Sequence, residues 1–133
     1  MMSSLILPVL GVLSAAAPTT VQPVDWEHAP HIQITLESYR FDPAAISLRH
    51  GEPYVLAFVN KAGGGHNFVA KRFFAAATVS DADRPRIEKG AVSLDGGQSA
   101  EIHLIAPTAG TYEVHCSHFM HSSLGMKGTV VVE

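Results

Sequence analysis

YEVHCSHFMHSSLGMKGTVVVE, residues 112–133, ends the chain and carries its only cysteine, three of its eight histidines and two of its four methionines. Strand alternation over its first five residues puts Tyr112, Val114 and Cys116 on one face and Glu113 and His115 on the other. Cys116 therefore ends a core-facing row. The chain must loop back before its last apolar run, Gly128 to Val132. That return holds His121 five residues after the cysteine and Met126 five after the histidine, a C-x4-H-x4-M spacing. A thiolate, an imidazole and a thioether on one short loop form a soft donor set, which selects copper over magnesium, calcium or manganese. A second imidazole has to come from elsewhere in the fold. His66 in NKAGGGHNFVA (residues 60–70) is best placed, because it starts a strand after a glycine turn. Two histidines, one thiolate and a weak axial methionine make a trigonal type 1 copper site.

Outward from this stretch, short apolar-rich runs alternate with turn chemistry. In His31–Glu37, Ile32, Ile34 and Leu36 face one way while Gln33, Thr35 and Glu37 face the other, which predicts a half-buried strand. Similar runs follow at Ala44–Arg49, Tyr54–Lys61, His66–Ala70, Ala91–Leu94, Ala100–Ile105, Thr111–Cys116 and Gly128–Val132. HGEP at His50, KAGGG at Lys61, DGGQ at Asp95 and PTAG at Pro107 separate most of them. Seven or eight such strands predict an all-β fold, an antiparallel sandwich or barrel, rather than βαβ units. Lys71–Lys89 interrupts the pattern: it is alanine-rich, then charged and proline-containing, and is expected to be a short helix and loop crossing between strands.

A chain of 133 residues fits one domain with one core. Apolar residues make up 47%, charged residues 16%, and the net charge is −3. This balance excludes compositional disorder and an electrostatic grip on nucleic acid. Residues 1–17 read as a secretory signal peptide, with an apolar run from Leu5 to Leu13 followed by Ser14, Ala15, Ala16 and Ala17, and cleavage is expected near Ala16. The run is too short for a permanent membrane span, so none is expected once the leader is removed. Residues 18–30, polar and punctuated by proline, are expected to be a linker to a domain at 31–133. The expected location is the periplasm or another exported compartment, and the expected state is a monomer. Cys116, being single, makes no intramolecular disulfide.

With these motifs placed, the chain resembles the cupredoxins, the small blue copper proteins such as plastocyanin, azurin and pseudoazurin. The resemblance rests on YRFDPAAISLRHGEPYVLAFVN (residues 39–60), the HN pair at His66 and Asn67, GTYEVHC (residues 110–116) and GMKGTVVVE (residues 125–133). It implies a Greek-key β-sandwich holding one type 1 copper ion, with His66, Cys116 and His121 as strong ligands and Met126 as the axial one. Asn67 would brace the ligand loop by hydrogen bonds. Many relatives carry proline before the loop histidine. This chain has SHFMH there, which adds His118 and Met120 as competing donors. His121 is preferred, since a C-x-H site at His118 is too tight and would strand Met126. The binuclear copper centre of cytochrome oxidase is excluded, because it needs two cysteines.

The function implied is shuttling single electrons, with transient redox partner proteins docking near His121 over Phe119, Met120 and Leu124. With all four positions filled by protein, no substrate position is left open, so an enzyme is not expected. The alternative is copper sequestration or delivery, motivated by His115, His118 and Met120. His28, His31, His50 and His103 are expected to be solvated.

Overall fold

The computed structural model describes residues 8–9, 11–12 and 23–133. The cleavage point expected near Ala16 and the start of the linker lie outside these residues. Eleven strands follow in chain order: β1 (His31–Glu37), β2 (Arg40–Asp42), β3 (Ala45–Leu48), β4 (Pro53–Asn60), β5 (His66–Val69), β6 (Thr78–Val79), β7 (Ile87–Glu88), β8 (Ala91–Leu94), β9 (Ser99–Ile105), β10 (Gly110–His115) and β11 (Lys127–Val132). One helix, α1 (Lys71–Ala76), follows β5. Eight strands coincide with the eight apolar runs to within a residue or two. β2, β6 and β7 are two or three residues long, too short to carry a period in the sequence.

The strands form the expected two-layer sandwich. One sheet has the order β2-β1-β4-β9-β6 and the other β3-β11-β10-β5-β8-β7. Alternation does the sorting: Ala100, Ile102 and Leu104 of β9 point inward, as do Tyr112 and Val114 of β10. The inner faces enclose an aromatic centre in which Phe68 meets Phe41 at 5.4 Å and Phe58 at 4.9 Å between ring centroids. Phe73 of α1 reaches Tyr112 at 5.7 Å, so the helix caps the same core with its two buried phenylalanines, Phe73 and Phe74.

Two pairings depart from the expected antiparallel pattern. β1 pairs with β4 in parallel, from His31↔Val55 to Leu36↔Asn60, and β11 pairs with β3 in parallel, from Thr129↔Ala45 to Val132↔Leu48. Each parallel pair joins strands that are far apart in sequence, with the long connection such pairing requires. Turn residues mark where strands stop but not which strand lies alongside.

Residues 26–30, just before β1, make contacts with the domain. Ala29 is buried, the carbonyl of Pro30 accepts a 2.9 Å hydrogen bond from the Val55 amide, and Trp26 meets His103 edge-on at 5.4 Å. Among the described residues no helix is long and apolar enough to cross a membrane.

Candidate copper site

β5 and β10 are antiparallel neighbours paired at His115↔Val69, so the residues that run on past β10 pass back along β5 toward its start. This register brings His66, the first residue of β5, to Cys116, the residue after β10. Asn67 ties the two strand ends together: its Oδ1 accepts the Ser117 amide at 2.8 Å and its Nδ2 donates to the Ser117 hydroxyl at 2.7 Å. The bracing expected of Asn67 is present. The chain then returns through Ser117–Gly125 to β11. The Met126 amide donates to the His121 carbonyl at 3.0 Å, and the Met126 carbonyl accepts the Cys116 amide at 3.1 Å. These two bonds close the loop into a compact ring that holds Met126, which is fully buried.

His66, Cys116 and His121 present donor atoms that all lie within 4.8 Å of one another. The two Nδ1 atoms are 3.1 Å apart, and Cys116 Sγ is 3.5 Å from Nδ1 of His121 and 3.9 Å from Nδ1 of His66. Ligands at roughly 2.0–2.3 Å from one ion, subtending angles of roughly 100–125° at it, stand roughly 3.1–3.9 Å from each other. The three separations fit a single ion. Cys116 and His66 are buried and His121 is half-buried, so the site is screened from water on the core side and reaches the surface through His121. Burial, and then the neighbouring imidazoles of His121 and His118, hold the His66 pKa below the ordinary histidine value. A neutral imidazole is the form that binds metal.

Asn60 is a residue whose part the sequence reading did not anticipate. Fully buried at the end of β4, it donates from Nδ2 to the carbonyls of Gly64 at 2.9 Å, Leu94 at 3.1 Å and Asp95 at 3.1 Å, and its Oδ1 accepts the Ala62 amide at 3.0 Å. One amide side chain thereby shapes the glycine turn that delivers His66. The available signal was a polar residue on the inward face of an apolar strand, just before a glycine run.

His118 lies outside the three-donor group. Its exposed ring stacks on His121, with centroids 5.4 Å apart and an interplanar angle of 15°. Phe119, Met120 and Leu124, placed in sequence near the site, are exposed at 88%, 53% and 53%, and Tyr39 adds a fourth exposed apolar side chain at 44%. Of the histidines expected to be solvated, His31 is exposed, and exposed His28 sits against Asp25 at 2.7 Å. His103 is a correction: half-buried, it places Nδ1 2.7 Å from Asp83 Oδ2 and carries Trp26 on its ring. His50 is likewise engaged, with Nδ1 2.9 Å from the Pro107 carbonyl.

A two-sheet sandwich that gathers a thiolate, two imidazoles and a buried thioether at one end is the arrangement of a blue copper protein. The chain belongs to the plastocyanin/azurin family of copper binding proteins, whose profile matches residues 29–133, and its cofactor is copper. It is 35% identical over 103 residues to the copper-resistant cuproprotein CopI of Rubrivivax gelatinosus, a match covering 72% of this chain and 61% of that protein. It is 31% identical over 110 residues to the multicopper oxidase mco of Staphylococcus haemolyticus, covering 74% of this chain and 24% of the oxidase. The chain thus spans less than two thirds of the length of either relative. Among solved structures, reduced auracyanin of Roseiflexus castenholzii superposes with a TM-score of 0.59 at 21% identity, covering 79% of this chain and 98% of that one. Auracyanin B matches with a TM-score of 0.56 at 25% identity, over 79% and 89% of the two chains.

Proposed function

We propose that His66, Cys116 and His121 are the strong ligands of one type 1 copper ion, that Met126 is its axial ligand, and that the protein is an exported electron carrier. The observation that carries this reading is the enclosed donor set, buried on the core side and reaching the surface through His121, whose ring meets Tyr39 and whose loop carries the exposed Phe119, Met120 and Leu124. Copper supplies the one-electron couple. The Asn67–Ser117 clasp and the two Met126 backbone bonds hold the donors at fixed separations, which would constrain a bound copper ion in either oxidation state. Little then has to move when an electron arrives. Because protein donors fill the site, no open position remains for a substrate, which argues against catalysis by this domain alone. Tyr39, Phe119, Met120 and Leu124 offer an apolar surface beside His121 on which a partner can dock, and small transient contacts of this kind suit electron-transfer encounters.

A second reading, copper sequestration or delivery outside the cytoplasm, draws on the likeness to CopI and on the exposed imidazole and thioether of His118 and Met120 next to the site. The two separate on kinetics. The copper-loaded protein should show intense visible absorption from Cys116 thiolate-to-copper charge transfer, abolished in Cys116→Ser; a colourless copper complex would refute the type 1 assignment. Given the colour, fast stopped-flow oxidation by a small redox reagent with slow loss of copper to a chelator supports the carrier, and the reverse order supports delivery.

A further inference from the structure

Tyr39 sits in the two-residue turn joining β1 to β2, with Glu37 paired to Arg40 across it. Its φ of +72° is a left-handed conformation, unfavourable for a bulky side chain and ordinarily given to glycine or asparagine. Core burial does not explain the choice, since the residue is 44% exposed. The ring's partner is His121: the centroids are 5.1 Å apart and the planes meet at 71°, an edge-to-face contact. The Tyr39 backbone also lies near the far end of the ligand loop, for a β-carbon on Gly125, next to Met126, would stand 3.8 Å from the Tyr39 carbonyl oxygen. A strained turn thus presses one aromatic edge against a single imidazole, and strain of this kind gathers at functional sites.

We propose that Tyr39 is a positioning residue for copper: its ring edge fixes the plane of the His121 imidazole, and thereby sets the geometry at the metal and retards release of the ion. This rests on His121 being a ligand, as proposed above. Two substitutions separate ring from turn. Tyr39→Phe keeps the aromatic edge, while Tyr39→Asn keeps a residue that accepts the left-handed turn and removes the ring.

The measurements are the EPR and visible spectra of the copper-loaded proteins, the rate of copper loss to an excess of chelator, and the melting temperatures of the apoproteins. Tyr39→Phe should match the wild type throughout. Tyr39→Asn should change the copper hyperfine splitting and the ratio of the visible bands and release copper about fivefold faster, the effect of losing one aromatic contact. Its apoprotein should melt no lower than the wild type. Wild-type spectra and release rate in Tyr39→Asn would overturn the proposal, as would Tyr39→Phe behaving like Tyr39→Asn. An Asn-variant apoprotein melting well below the wild type would make the ring a packing element, and overturn it too. A wild-type protein that takes up no copper through Cys116 and His121 would refute the site assignment itself, and Tyr39's role with it.

Discussion

Of the proposed donors, Met126 has the most freedom to tune the site. It is fully buried and its backbone is bonded on both sides, to His121 and to Cys116, so the side chain can change without releasing the loop. A weak thioether favours the reduced ion, whereas an amide oxygen is a harder donor that favours the oxidised one. Met126→Gln should therefore retain copper and lower the reduction potential by more than about 59 mV, a tenfold shift in the one-electron equilibrium. Protein-film voltammetry reads that shift, and an unchanged potential would remove Met126 from the axial position. Asn60 works at the opposite extreme, a buried side chain whose hydrogen bonds all go to backbone groups.

Two elements deliver the donors, the glycine turn before β5 and the loop from Ser117 to Gly125. The glycine turn depends on a close approach between loops. A β-carbon on Gly96 would lie 2.4 Å from the Gly63 carbonyl oxygen and 3.0 Å from that of Ala62, both rigid backbone atoms. Gly96→Ala should push the 61–65 turn away from the β8–β9 connection and tilt His66 off its position. The expected costs are about 1–3 kcal/mol of apoprotein stability, measured by urea unfolding, and weaker copper binding in a competition titration. A variant as stable as the wild type that binds copper equally well would show that the turn adapts. The sequence displayed DGGQ only as a turn. That Gly96 serves the proposed copper ligand His66 follows from two loops meeting across the molecule, and no local pattern records such a meeting.

For the molecule as a whole, the Asp83–His103–Trp26 cluster joins the segment before β1, the crossing after α1 and strand β9. Burial raises the Asp83 carboxyl pKa, but the His103 backbone N–H, the His103 ring and the Ser80 hydroxyl outweigh it and hold the pKa below the usual 3.8. A carboxyl whose folded pKa is depressed contributes stability that is complete above the unfolded-state value and is lost as pH falls through the folded value. Asp83→Asn should thus lower apoprotein stability at pH 7 by about 1–3 kcal/mol, with the deficit shrinking once the pH drops below about 3.8. Urea unfolding along a pH series tests this; a deficit constant from neutral to acid pH would mean that the carboxylate charge is not what the cluster uses.

By itself, the sequence determined the eight longer strands, the inward row ending at Cys116 and the C-x4-H-x4-M loop, because a period of two and a ligand spacing are both local properties. The HN pair at His66 was legible for the same reason. Only the tertiary structure decided that β1 and β4, and β3 and β11, run parallel, that Asn60 and Gly96 shape the turn before His66, and that Tyr39 lies against His121. Each of these joins residues far apart along the chain. Such contacts are selected by packing two twisted sheets around one aromatic core, and that selection is made by the whole molecule rather than by any segment of it.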